Sequence, residues 1–144
     1  MANRPIACGI NTMHVHPRSA ELQIVVQGRL ITEMMPEDGV LQANGEHRVV
    51  RNEIAPYQMT LFYQGSSHLQ FNPDCTNSTF ISSFADEDAG TDYLFHGAWA
   101  FSNETLARAV KPVMETENTK TVRGGVPLRI YRDVEQCLQR CNDS

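Results

Sequence analysis

Residues 9–28 bring together side chains that bind metal ions, because they contain an H-x-H pair and, a few residues later, a glutamate. His14 and His16 alternate, so on an extended strand both imidazoles lie on the same face. Pro17 ends that strand, and Glu21 opens an apolar strand that stops at a glycine. We therefore expect two nitrogen donors and one carboxylate to converge on one interior.

A fourth donor lies in the segment YQGSSHLQFN, where the chain leaves a glycine turn and enters another strand. Its histidine, His68, is expected to face inward. Three imidazoles and one carboxylate leave a six-coordinate ion two open positions, and this donor set suits Mn(II) or Fe(II). Ni(II), Cu(II) and Zn(II) are also compatible with it. The open positions predict exchangeable water or a small-molecule substrate. The other two histidines considered, His47 and His96, lack the spacing of metal ligands and are not expected to bind the ion.

Strand alternation also selects candidate neighbours of the metal. Gln23 shares the inward face of Glu21, and Gln70 and Asn72 share the face of the fourth histidine. These amides either orient ligands or substrate, or only satisfy buried polar groups, and we favour the second role for Asn72. Met13, beside the first histidine, either lines the opening of the pocket or packs in the core.

Short strands must position these residues. After the two strands of the first segment, the alternation of apolar and polar residues predicts strands over 29–35, 48–54, 57–63, 67–72 and 79–84. Asn44 and Gly45 are a hairpin signal of the kind that requires positive φ at both turn positions. Strands this short, separated by Gly, Pro and Asn, predict an all-β barrel or jelly-roll sandwich.

From about residue 86 the pattern becomes helical. Ser102 or Asn103 could cap a helix that runs to Val110, and a last helix is predicted over 134–140. A chain of 144 residues fits one domain. We expect a single domain over 1–144, with a barrel over about 6–95 and a short C-terminal helical arm over about 100–142.

The charge and hydropathy patterns exclude two classes of partner. The formal net charge is −5, whereas nucleic-acid binders need a basic face that releases counterions. No apolar run approaches the length of a membrane span, and the first residues lack the basic and apolar regions of a secretory signal. We expect no nucleic-acid partner and no membrane partner.

The cysteines and the N-glycosylation sequons bear on the compartment. The even number of cysteines, without C-x-x-C spacing, indicates either two disulfides or four buried thiols; they are Cys8, Cys75, Cys137 and Cys141. The sequons, a pattern that is common by chance, begin at Asn77, Asn103 and Asn142. Disulfides and glycans predict an extracellular protein, and a cytoplasmic location is the alternative.

The two ligand segments resemble the two motifs of the cupin family. The first has a glycine, H-x-H, four residues to a glutamate and six more to a glycine, and the second surrounds the histidine of YQGSSHLQFN. The phrases HPRSAELQIVVQGRL and FNPDCTNSTFISSFADEDAGT are similar to fungal spherulin-type members. The chain is thus identified as a germin-like cupin from Cys8 onward. The resemblance implies a jelly-roll β-barrel whose C-terminal helical arm clasps a neighbouring subunit.

The resemblance also implies roles for individual residues. It assigns His14, His16, Glu21 and His68 as the four metal ligands, with Mn(II) as the expected ion. Asn11 matches a substrate-binding asparagine of the oxalate-using germins, but their second such asparagine has no counterpart here. We therefore expect a Mn-dependent oxidoreductase that acts on a reduced oxygen species or a small carboxylate, with the first preferred over oxalate.

Two other functions fit the same motifs. A secreted, glycosylated binding or storage protein would use the metal for stability. An isomerase, cyclase or dioxygenase acting on a small metabolite would use it as a Lewis acid or oxygen activator. Because the strands that precede the first motif in such cupins have no counterpart here, one sheet edge would be open. We expect the C-terminal arm or a partner subunit to cover it, in a homodimer or higher oligomer.

Overall fold

The structure, a computed structural model, describes residues 2–3, 7–101, 105, 130–132 and 135–142. The strands in these ranges are β1 (Ala2–Asn3), β2 (Gly9–Val15), β3 (Glu21–Gln27), β4 (Leu30–Met35), β5 (Val50–Ile54), β6 (Met59–Phe62), β7 (Ser67–Phe71), β8 (Thr79–Phe84), β9 (Asp92–Tyr93) and β10 (Ile130–Arg132). The helices are α1 (Leu94–Ala98) and α2 (Glu135–Asn142). Within the described ranges, neither helix has the length and apolar character needed to cross a membrane.

The strands form two antiparallel sheets. One has the order β1-β8-β3-β6, and the other has the order β10-β2-β7-β4-β5, with β9 also paired to β2. Side chains alternate between the two faces of each strand. In β3, for example, Glu21, Gln23 and Val25 are buried, whereas Leu22 between them is exposed. The predicted all-β class is confirmed.

An apolar core closes one end of the space between the sheets. Val25 and Phe80 come from the four-stranded sheet, and Leu30 and Ile54 come from the six-stranded sheet. All four are at most 4% exposed, so burial of their apolar side chains stabilises the folded state. Along β3 the buried positions change from this apolar end to Glu21 at the other end. The core therefore supports an interior whose opposite end is polar.

Two turns show how glycine fixes the strand connections. Gly28, between β3 and β4, has φ of +74°, and a Cβ there would lie 2.7 Å from the hydroxyl oxygen of Ser78. In the Asn44–Gly45 turn only the glycine has positive φ. The prediction of positive φ at both positions is wrong, because the Asn44 side chain instead accepts a hydrogen bond from the backbone of Glu46 at 3.1 Å.

The C-terminal segment contains a strand that the helical interpretation missed. β10 pairs with β2, with Ile130 opposite Asn11, and so covers the edge of β2. α1 was also absent from the predicted elements. The predicted last helix is present as α2. The helix predicted over 102–110 lies outside the described residues, which in that stretch include only Thr105.

Candidate metal centre

The four predicted ligands lie together at the polar end of the interior. His14 is in β2, His16 follows that strand, His68 is in β7, and Glu21 opens β3. Each is at most 6% exposed, and one potential donor atom from each lies within 4.8 Å of the others. His14 and His68 are opposite one another in the β2–β7 register. The cluster thus joins residues of both sheets.

Backbone carbonyls orient all three imidazoles. Nδ1 of His14 lies 2.7 Å from the carbonyl oxygen of Thr12. Nδ1 of His16 lies 2.5 Å from that of Gly90, and Nδ1 of His68 lies 2.9 Å from that of Ser66. A carbonyl oxygen only accepts hydrogen bonds, so Nδ1 carries a proton in each ring. The other ring nitrogen, Nε2, is left as the atom available to a metal ion.

The carboxylate of Glu21 faces two of these Nε2 atoms. Its Oε2 lies 3.0 Å from Nε2 of His16 and 3.2 Å from Nε2 of His68. With Nδ1 protonated, a neutral imidazole offers only a lone pair at Nε2, and the carboxylate offers only lone pairs. These atoms can face each other stably only around a positive charge, which is either a proton or a metal ion. The three-imidazole, one-carboxylate donor set fits a divalent transition metal.

The pKa values of these groups follow from the same contacts. Burial lowers the pKa of His16, but its hydrogen bonds to Glu21 and to a backbone carbonyl outweigh burial, so the pKa is raised. Burial raises the pKa of Glu21, but hydrogen bonds from His16, His68 and Ser82 hold it well below its usual value. Burial, followed by the charge of His68, lowers the pKa of His14 to about 4. His14 is therefore neutral at pH 7 and available as a ligand.

Side chains of β6 and β8 hold the ligands in position. The hydroxyl of Ser82 donates a hydrogen bond to Oε1 of Glu21. The ring of Phe62 stacks on His68, with centroids 4.2 Å apart and planes at 12°. Phe84 packs against the second histidine, with centroids 4.7 Å apart. Packed rings restrict the rotation of the imidazoles, and the serine fixes the carboxylate.

A cavity of about 580 Å³ adjoins the ligands. Its lining includes a run of acidic residues in the loop after β8, namely Asp86, Glu87 and Asp88, all of which are exposed. Arg18 pairs with Asp88 at 2.7 Å. Because Asp86 and Glu87 form no ion pair with a cationic side chain among the described residues, the approach to the ligands has a negative potential.

Of the predicted substrate-binding residues, Asn11 lines this cavity. Its amide donates a hydrogen bond of 2.9 Å to Gln70, and its oxygen lies 3.5 Å from the hydroxyl of Tyr93. Met13 is not among the described residues that line the cavity. The β2–β7 register shifts between Asn11 and His14, so simple alternation does not determine which way Met13 faces.

Gln23 and Gln70 belong to a buried polar layer between the ligands and the apolar core. Both are fully buried and neither is among the described residues that line the cavity. Within the described part of the chain, both amide atoms of Gln23, Nε2 of Gln70 and the hydroxyl of Thr32 have no hydrogen-bond partner. Such atoms normally bind ordered water. Asn72 instead hydrogen-bonds to the backbone of the following loop at 2.6 and 3.0 Å.

The remaining candidate residues lie outside this cluster. The cysteines form two disulfides, Cys8–Cys137 and Cys75–Cys141.

Other sequence features have simple placements. The sequon residue Asn77 is exposed, whereas Asn103 lies outside the described residues and the side chain of Asn142 is not described. His47 and His96 are exposed, and neither belongs to the ligand cluster.

The contact of Ser82 with Glu21 and the stacking of Phe62 on His68 were not among the features predicted from the sequence. The alternation of β8 indicates which of its residues face inward, but only the β3–β8 register shows that Ser82 reaches the carboxylate. Phe62 lies directly opposite Glu21 in the β3–β6 register. Its proximity to the ligands could have been inferred once that pairing was known.

The family comparisons agree with this fold. Residues 3–114 match the family model described as Cupin. Spherulin-1B from Physarum polycephalum is 25% identical over 135 residues, which cover 94% of this chain and 51% of the relative. Germin-like protein 12-2 from Oryza sativa subsp. japonica is 28% identical over 106 residues, which cover 70% of this chain and 45% of the relative. The chain spans about half the length of the curated relatives it matches.

A solved structure of an oxalate oxidase has the same fold. It superposes with a TM-score of 0.74 at 17% identity, covering 86% of this chain and 60% of that chain. Identity this low shows the shared architecture and not a shared activity. The family match covers most of the chain, and the two-sheet architecture agrees with it. The chain therefore belongs to the cupin family, as a germin-like, spherulin-type member.

Proposed function

We propose that this cupin is a metal-dependent oxidoreductase that uses Mn(II) and acts on a reduced oxygen species or a small carboxylate. The observation that carries the proposal is the carboxylate of Glu21 facing the Nε2 atoms of His16 and His68 at 3.0 and 3.2 Å. Together with His14, these residues would hold the ion. The bound ion would supply one-electron redox chemistry at its open positions.

The protein side chains would keep the donor atoms in place during turnover. Carbonyl hydrogen bonds at Nδ1 fix the tautomers, so that each ring presents Nε2. Ser82 and Phe62 restrict the carboxylate and one imidazole. Little reorganisation is then needed when the charge at the centre changes, which is the form of preorganisation that redox sites require.

The acidic approach favours substrates with little negative charge. Asp86 and Glu87 line the cavity, and the nearby cation Arg18 is already paired with Asp88. A dianion such as oxalate would meet roughly twice the repulsion of a singly charged species, because Coulomb energy scales with charge. The amide of Asn11 is also engaged with Gln70. We therefore rank a reduced oxygen species above oxalate.

We further propose that the protein is extracellular and forms at least a homodimer. The two disulfides support an oxidising compartment. The outer face of the four-stranded sheet supports association, because it exposes neighbouring apolar side chains; these are Leu22, Met59, Leu61 and Ile81. Light scattering at micromolar concentration tests the second statement, and a monomer at that concentration would contradict it.

The experiment on function combines elemental analysis with activity assays. The purified protein is expected to contain Mn and to accelerate superoxide dismutation or oxidation of a small carboxylate. His68→Ala should lose both the metal and the activity, whereas His47→Ala, at an exposed position outside the cluster, should retain both. Activity in metal-free protein would refute the proposal. Stoichiometric metal with every assayed activity at background would favour a structural metal in a binding or storage protein.

A further inference from the structure

The sulfur atoms of both disulfides lie in one cluster. Sγ of Cys8 is 3.5 Å from Sγ of Cys141, and Sγ of Cys137 is 3.9 Å from the same atom. Cys75 is bonded to Cys141 and therefore belongs to the same group. Two disulfides that only cross-link separate segments of the chain do not need to be in contact. The sulfur atoms of Cys8, Cys137 and Cys141 thus lie within 4.8 Å of one another, and Cys75 is attached to them through its bond to Cys141. Nothing in the proposed function uses these residues.

The backbone brings these cysteines together from three directions. Cys137 and Cys141 are four residues apart on α2, so both side chains lie on one face of the helix. Cys8 precedes β2 and has φ of +55°, a conformation that non-glycine residues rarely adopt. Cys75 lies in the loop after β7. The strained backbone at Cys8 indicates that surrounding structure holds this side chain in place.

We propose that the four cysteines bind one Zn(II) ion when both disulfides are reduced. Four thiolates in tetrahedral geometry are a preferred zinc environment, with Zn–S distances of about 2.3 Å and hence S–S separations of about 3.8 Å. The two contacts between the disulfides, 3.5 and 3.9 Å, already match that separation. Binding then requires the two bonded sulfur pairs to separate and Cys75, which is outside the group of sulfur atoms within 4.8 Å of one another, to move closer to the other three cysteines. The proposal does not depend on the function proposed for the histidine centre.

Reduction of the two disulfides requires only a reductant and water. A trialkylphosphine reduces each disulfide to two thiols and becomes a phosphine oxide, with water supplying the oxygen atom and the two protons. Zinc then displaces the thiol protons, which are released to the buffer. Cys75 is exposed, so reductant and metal can reach the cluster from its side, whereas Cys8 is fully buried.

The surroundings of the cluster suit an anionic zinc complex. Four thiolates and Zn(II) carry two net negative charges. The guanidinium of Arg140 hydrogen-bonds to the carbonyl of Pro73, and Sγ of Cys137 lies 3.3 Å from that same oxygen. A cation is therefore close to the sulfur atoms. Zinc would then keep α2 fastened to the start of β2 in a reducing compartment, as the disulfides do in an oxidising one.

The test uses Co(II) and Zn(II) with the full chain carrying His68→Ala, which removes binding at the histidine centre. After reduction with the phosphine and removal of oxygen, Co(II) should produce thiolate charge-transfer absorption, and Zn(II) should abolish it by displacement. One ion per chain should bind in the reduced protein, with none in the oxidised protein. Cys75→Ser, assayed in the reduced state, should weaken the charge-transfer absorption. Cys141→Ser should do the same.

Circular dichroism of the same samples decides the remaining cases. A reduced protein that stays folded but binds no ion with thiolate absorption would overturn the proposal. A reduced protein that unfolds and does not refold on addition of zinc would also overturn it. Refolding on addition of zinc, lost in the serine variants, would support it, because metal binding then supplies the folding free energy. The control is Ser83→Ala, a substitution on the exposed face of β8 that leaves all four cysteines in place.

Discussion

Substitution of Ser82 by alanine tests whether the residues around the ligands control metal binding. Ser82 is 5% exposed and donates a hydrogen bond to Oε1 of Glu21, which is 3% exposed. Nε2 of His16 and His68 can donate to this carboxylate only when protonated, whereas the Ser82 hydroxyl can donate to it also when a metal ion is bound. The ligand atoms themselves are unchanged. Any change in metal affinity must therefore come from the orientation and charge of the carboxylate.

Two independent estimates give the size of the effect. A hydrogen bond to a charged group contributes about 1.5–3 kcal/mol. At about 1.4 kcal/mol for each factor of ten, this corresponds to a loss of roughly 10- to 150-fold in the association constant. Measured losses on removal of a residue that hydrogen-bonds to a metal ligand are about 10- to 100-fold. We therefore expect Ser82→Ala to weaken metal binding by about one to two orders of magnitude.

The assay is a competition titration of metal-free protein against a chromophoric chelator, with Mn(II). Ser82→Thr keeps the hydroxyl and should restore most of the affinity. Ser83→Ala changes the neighbouring residue, which is exposed on the other face of β8, and should leave the affinity within about twofold. If Ser82→Ala binds the metal as tightly as Ser83→Ala, the reasoning about this hydrogen bond is refuted.

Three further predictions concern stability and pH. Gly28→Ala should lower the free energy of unfolding, measured by denaturant titration, by about 2–4 kcal/mol, because its Cβ would lie 2.7 Å from Ser78 Oγ and its backbone is left-handed. Gly45→Ala, whose Cβ would have nothing within 4 Å, should lower it by only about 1 kcal/mol. Gln23→Leu should lower the free energy of unfolding by about 1 kcal/mol, because buried amide atoms without a protein partner normally bind ordered water and leucine would remove those hydrogen bonds. A gain in stability in the same denaturant titration would contradict this. Metal affinity should fall as the pH drops below the raised pKa of His16, because proton and ion compete for Nε2; an affinity that is independent of pH from 6 to 9 in a chelator competition would contradict this.

The convergence of the candidate ligands could be predicted in part, because the alternation of side chains on a strand depends only on local geometry. Alternation on a strand places His14 and His16 on one side whatever the rest of the fold does, and the same rule applies to Glu21 with Gln23. The structure brings the three ligands of residues 9–28 together with His68 within a 4.8 Å cluster. The strand positions, and hence the all-β class, follow from the same alternation.

The contacts between strands could not be predicted in the same way, because they depend on register. Ser82 and Phe62 reach the ligands only because β8 and β6 flank β3 with a particular alignment. The shift in register between Asn11 and His14 likewise depends on the pairing with β7. A shift of one residue would turn every side chain of a strand to the opposite face, so sequence pattern alone leaves these contacts undetermined.

The C-terminal segment illustrates a different cause. The residues Ile130–Arg132 have β-branched and aromatic character over only three positions, which is too short for a pattern to distinguish a strand from an arm. They form a strand because β2 offers an edge for pairing, with Tyr131 opposite Ile10. The partner that determines this structure lies about 120 residues earlier in the sequence, beyond the reach of local rules.

The position of the ligands connects metal binding to folding. Glu21 belongs to the four-stranded sheet, whereas His14 and His68 belong to the six-stranded sheet. An ion held by all of them is therefore a cross-link between the two sheets at the end of the interior that lacks an apolar core.

In the absence of metal, a proton on His16 provides part of that link, since its pKa is raised by Glu21. This contribution is complete below the unfolded pKa of about 6.5 and is lost as the pH rises through the raised value. The same rise in pH removes the competing proton and strengthens metal binding, so the ion stabilises the two-sheet structure most under the conditions in which the protonated histidine no longer does.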